Sequence, residues 1–93
     1  MNAVDPVYLR RATEADEVPA LRQRVGNAGK RCLGRAERTR SWDAGVLMLR
    51  AAQIASVWTW AAATEAQLED VIVLLTALNV AAGAAERLDA SDA

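Results

Sequence analysis

Between Asp70 and Glu86 the chain runs from Val71 to Ala85 without a single charge. Its non-aliphatic residues, Thr76, Asn79 and Gly83, recur at helical spacing and so fall on one narrow arc, leaving the remaining circumference apolar. A helix apolar nearly all round has to be covered on several sides, by its own chain, by another chain or by lipid. Fifteen residues rise about 22 Å, short of the roughly 30 Å of a bilayer's hydrocarbon core. The preceding apolar stretch, Ala44 to Ala63, has the length to span but contains Arg50 and Gln53, and an arginine at membrane depth is costly. The pattern therefore predicts two helices covered by protein. A membrane hairpin of the holin sort, with Trp58 and Trp60 as interface anchors, is the alternative.

Cover is what a chain of 93 residues lacks. It makes one small domain. Apolar residues are 53%, but 21 of the 93 are alanine and none is phenylalanine. Alanine favours helix and buries little area, so the core is thin and self-association or a partner is expected to complete it.

The chain divides into four stretches. Residues 1–18 read as an N-terminal capping segment: Asp5-Pro6 is a cap followed by proline at the first helical position, with a short turn over Val7 to Ala12, and Thr13 to Asp16 is a second start signal. Pro19, whose missing N–H is harmless only in a first turn, is expected to open a basic helix over 19–40. There Leu21, Val25, Ala28, Cys32 and Ala36 form one apolar stripe. Gly26, Gly29 and Gly34 weaken that helix, and either admit a neighbouring backbone or mark a break. Ser41 is placed to cap the next helix, with Asp43 in its first turn. Residues 42–88 read as a long or broken apolar helix pair. Leu47, Ala51, Ile54, Trp58 and Ala61 share a heptad phase with Leu68, Ile72, Leu75, Asn79 and Ala82, which predicts one long helix or two nearly collinear ones. Thr64-Glu65-Ala66-Gln67 between them is a capping box able to start a fresh helix. Residues 89–93 are a short acidic tail.

A charge split overlies this pattern. Residues 20–50 carry eight basic side chains against Glu37 and Asp43, whereas residues 51–93 carry Arg87 alone against six acids. Arg24, Arg31, Arg35 and Arg38 gather on one helix face, a quarter turn from the apolar stripe. Four guanidiniums so placed either fork onto phosphates or carboxylates of a nucleic acid or acidic partner, or pair with acids of the C-terminal half such as Glu65, Glu69 and Asp70. No aromatic interleaves with them, so a stacking platform for single strands is not expected.

Catalysis finds little to stand on. Histidine is absent, Cys32 is the only cysteine and sits in the apolar stripe, and neither a phosphate loop nor a nucleophile motif occurs. Glu65 and Glu69 share a helix face with no second carboxylate pair to complete a di-metal site. No metal or cofactor is expected, and the chain reads as a non-enzyme. Trp60, projecting on the side of Gln53 and Ser56, and Trp42, at the helix boundary, are the candidate partner anchors, together with Val73, Ala77 and Val80 on the apolar helix. Trp58 reads as core. Met1 to Arg11 lacks the charged-then-apolar character of a secretory leader, which predicts a cytoplasmic protein.

A length near 100, a midpoint tryptophan followed closely by glycine (Trp42-Asp43-Ala44-Gly45) and an alanine-rich helix on either side resemble the WXG100 class of small secreted helical hairpins. The stretch has one residue more than that family's Trp-any-Gly pattern, and the family's C-terminal tyrosine-and-acid export signal has no counterpart, Tyr8 being the only tyrosine. The resemblance implies a helical-hairpin dimer exported without a cleaved leader.

Taken together the residues predict an all-α protein, a helical hairpin or small three- to four-helix bundle completed by oligomerisation or a partner. Its expected work is protein–protein binding, as adaptor, chaperone, inhibitor or assembly subunit. A nucleic-acid-associated regulator, a membrane hairpin and a WXG100-like secreted hairpin are the alternatives.

Overall fold

The structure, a computed structural model, describes residues 6–91, with side chains from Glu17 onward; the expected Asp5 cap and the last two residues of the tail lie outside the described residues. It is all-helical, with three helices and no strand among the described residues: α1 Pro6–Arg38, α2 Trp42–Trp60 and α3 Glu65–Ser91.

α1 is one uninterrupted helix of 33 residues with Pro19 inside it. The separate capping segment expected before Pro19 is instead the helix's own first turns. Proline removes one intrahelical hydrogen bond and crowds the carbonyl four residues before it. No glycine precedes Gly26, so nothing else opposes helix on either side of Pro19. The three glycines do not break α1 either.

Two turns reverse the chain. After Arg38, Thr39 N–H donates to Arg35 O at 2.9 Å, closing α1. Ser41, buried and extended, then accepts from Ala44 N–H at 3.1 Å and caps α2. Past Trp60, Ala61 is extended with ψ 153°. Thr64 and Gln67 form the reciprocal capping box: Gln67 N–H donates to Thr64 Oγ1 at 3.2 Å, and Thr64 N–H donates to Gln67 Oε1 at 2.9 Å. The heptad phase shared across this point does not produce a single long helix or a collinear pair. An N-cap residue leaves the helical conformation, and a short link between two apolar helices lets the second fold back and cover the first.

α2 runs antiparallel to α1, with Gly29 beside Ala55 and Gly26 beside Thr59. α3 returns parallel to α1, setting Arg35 against Asn79 and Glu86. Each helix packs on both others. The core takes Leu21, Val25 and Cys32 from α1, Ala44, Met48, Ala51 and Ala55 from α2, Ala63 from the link, and Leu68, Val71, Leu75 and Ala82 from α3. Among the described residues only Met48, Leu68, Leu75 and Val25 of the larger side chains are fully enclosed, so the core they form is thin.

The stripe expected on α1 is the buried one, with Ala28 and Ala36 at its margin. On α2 the buried line keeps Ala51 from the expected series but otherwise shifts by one position, to Ala44, Met48 and Ala55, and Leu47, Ile54 and Trp58 are only partly covered. Gly29 explains the shift. A methyl group built there would lie 2.7 Å from Ala55 Cβ, so α1 and α2 meet through their smallest residues and the bulky ones flank that contact.

Candidate functional site

The side chains expected to meet a partner all lie on the surface. Trp60, the last residue of α2, is 87% exposed, and Trp42, the first, is 78% exposed. Each indole therefore presents most of its ring area to whatever approaches. Trp58, two residues from Trp60 and on another side of the helix, is half-buried against the core.

On α3 the buried residues Leu68, Val71, Leu75 and Ala82 occupy one side. The opposite side carries Val73 at 68% and Val80 at 66% exposure with Ala77 between them, also exposed. Their spacings of four and three place them on a single line along the helix. Leu74 and Leu88 flank that line and are exposed too. Across the described residues nine large apolar side chains are exposed. Single exposed hydrophobes are ordinary, whereas these lie in a continuous line along one helix.

A second apolar feature lies between α1 and α2. Gly26, Gly29, Ala52 and Ala55 form the floor of a groove of about 710 Å³, with Leu33 and Trp60 among its walls and Arg22 and Lys30 supplying charge. Arg22 Nε is buried there without a hydrogen-bond partner. A buried donor left unpaired is costly, and an occupant offering an acceptor would relieve it. The sequence hid this groove because its floor is built from residues too small to stand out in any pattern.

The arginine face divides. Arg35 is half-buried and committed to α3: Nη2 and Nε donate to Glu86 Oε1 at 2.6 and 3.2 Å, and Nη1 donates to Asn79 Oδ1 and to Asn79 O at 3.1 and 3.2 Å. Its acid is Glu86, one outside the set expected to pair with it. Arg24, Arg31 and Arg38 stay exposed, and among the described residues none has an ion-pair partner. Arg24 and Arg31 line a cleft of about 250 Å³ with Thr76 and Asn79, so the narrow polar arc of α3 faces the arginine face of α1. Asn79 holds this seam together, donating through Nδ2 to Leu75 O at 2.8 Å and to Cys32 Sγ at 3.4 Å.

Among the described residues no cluster of three or more Cys, Asp or Glu side chains is arranged to hold a metal ion. One helix, Glu65–Ser91, is long and apolar enough to cross a membrane by length and composition. No protein-family model matches the chain, and neither a curated protein nor a solved structure is significantly similar to it.

Proposed function

We propose that this chain acts without catalysis, as a small helical protein whose work is to bind another protein chain, in the manner of an adaptor, chaperone, inhibitor or assembly subunit. One observation carries the reading. A ten-kilodalton chain leaves two tryptophans and a line of aliphatic side chains along α3 facing outward, while among the described residues its core encloses only four sizeable side chains. Association is the ordinary way to remove such area from water, at roughly 25 cal/mol per Å². Tryptophan adds anchor area at low entropic cost, and ring burial of this kind dominates many interfaces. On this reading the groove between α1 and α2 takes a further helix and completes a four-helix bundle, with a backbone or side-chain acceptor reaching Arg22.

Light scattering combined with uptake of a hydrophobic dye tests this. The purified chain should associate, or should bind dye as a folded monomer, and should be recovered without detergent. A folded, solitary chain that takes up no dye removes the reading, and one recovered only in detergent replaces it with a membrane hairpin.

A second reading, binding of a nucleic acid, draws on the three uncommitted guanidiniums of Arg24, Arg31 and Arg38. Its binding would weaken steeply with salt, by a log–log slope of about −0.9 per phosphate neutralised on duplex DNA. No retention of DNA or RNA at low salt disposes of it.

A further inference from the structure

α3 is built with two faces in register. Leu68, Leu75 and Ala82, seven residues apart, point into the protein's own core. On the far side Val73, Ala77, Val80 and Ala84 follow spacings of four, three and four, the rhythm of a helix-to-helix seam. We propose that this outward seam docks on the same seam of a second copy, the two α3 helices running antiparallel about a two-fold axis that crosses between Leu78 and Asn79. The inference rests on the binding reading above and names the partner for one of its surfaces.

The register follows from the residues. With the axis at that point, Val73 lies opposite Ala84 of the second copy and Ala77 lies opposite Val80, so each layer sets a large side chain against a small one. Alternation of large and small is what interdigitated packing requires, and alanine lets two helices approach to the short end of the usual 8–10 Å. The seam from residue 70 to residue 87 gives about 26 Å of continuous contact.

Charge decides the direction. The same axis places Asp70 of one copy opposite Arg87 of the other, at both ends of the seam. Both side chains are exposed, and among the described residues neither has an ion-pair partner. In a parallel pair Asp70 would face Asp70, Arg87 would face Arg87, valine would meet valine and alanine would meet alanine, giving repulsion at both ends and a void in alternate layers. Charge placed at the rim of an apolar seam contributes little affinity but selects orientation. Symmetric closure of this kind uses each surface once and stops at two copies.

Sedimentation equilibrium of the full chain reads the outcome. The expected species has twice the 10.0 kDa chain mass. Ala77→Glu, which buries an unpaired charge at the seam's centre, should weaken dimerisation by at least about tenfold while leaving the helical circular dichroism unchanged. Asp70→Arg should weaken it as well, and the double exchange Asp70→Arg with Arg87→Asp should bring it back, because only an antiparallel pair sets these two positions opposite each other. A wild-type chain that stays monomeric, an Ala77→Glu variant that dimerises as tightly as wild type, or a double exchange no better than Asp70→Arg alone overturns the proposal. A monomer that binds hydrophobic dye refutes the dimer and leaves the general binding reading standing, whereas a monomer that binds none refutes both.

Discussion

Two glycines one helical turn apart in α1 should respond to the same substitution with opposite signs. In an exposed helix interior, alanine in place of glycine contributes about 1 kcal/mol through lower chain entropy and better propensity. At Gly26 the added methyl would meet only the side chain of Thr59, at 3.7 Å, an ordinary contact. Gly26→Ala should therefore stabilise by about 0.5–1 kcal/mol. At Gly29 the methyl would sit 2.7 Å from Ala55 Cβ, which is bonded directly to the backbone of α2 and cannot rotate away. Comfortable carbon contacts lie near 3.5–4.0 Å, so α1 and α2 have to part by about 1 Å, and a gap of that size forfeits a quarter to a half of each contact across it. Overpacking of this sort costs about 1–3 kcal/mol, which exceeds the propensity gain. Gly29→Ala should be net destabilising by about 1–2 kcal/mol, and the two variants should melt roughly 10 °C apart. Urea unfolding followed by far-UV circular dichroism, at one fixed chain concentration, measures the difference. Ala55→Gly in the Gly29→Ala background restores the space, so the pair should show a favourable coupling of about 1 kcal/mol in a double-mutant cycle. A Gly29→Ala protein as stable as Gly26→Ala, with no coupling to position 55, would show that the two helices do not meet there.

Other substitutions probe the remaining contacts. Arg35→Ala should cost about 1–2 kcal/mol, because it removes the donors to both Asn79 and Glu86. Glu86→Ala, which leaves the Asn79 bonds in place, should cost about 0.5–1 kcal/mol and lose most of that effect in high salt. Ser41→Ala and Thr64→Ala each delete an N-cap acceptor, and each should lower stability by about 1 kcal/mol in urea titrations, with the buried Ser41 site at the upper end. Leu68→Ala and Met48→Ala open cavities at fully enclosed positions and should cost about 2–5 kcal/mol, enough to leave a domain of this size largely unfolded by calorimetry. Trp42→Ala and Trp60→Ala should leave stability within about 0.5 kcal/mol while reducing dye uptake and association, a combination that an anchoring role requires and a core role forbids.

The residues reveal the parts of this fold that are locally encoded. The caps at Ser41 and Thr64 and the buried stripe on α1 are fixed by short-range chemistry, a hydroxyl meeting a free N–H or an apolar line on an otherwise polar helix. Where a helix is apolar on most sides, no single azimuth stands out, and the inward face is chosen by the neighbour. That is why α2 turns Met48 and Ala55 inward in place of Ile54 and Trp58, a choice imposed by Gly29 on another helix. Pro19 misleads for the opposite reason: its local rule is strong, yet uninterrupted helix-forming sequence on both sides overrides it. The pairing of Arg35 with Glu86 and Asn79 depends on the parallel alignment of α1 and α3, separated by more than forty residues of chain, which no local pattern records. Trp42, at a helix boundary, and Val73, Ala77 and Val80, on a helix with more apolar surface than its neighbours can cover, are exposed as those features suggest, and so is Trp60.

Cys32 turns the molecule into its own stopwatch. The thiol is 2% exposed and accepts a bond from the Asn79 side chain, wedged where α1 and α3 meet. A thiol-directed reagent reaches the sulfur only while those two helices are apart, so the rate of labelling in native buffer, set against that of the unfolded chain, reports how often they separate. An opening free energy of about 3 kcal/mol would slow the reaction by roughly two orders of magnitude, with no introduced probe to disturb the helices being timed.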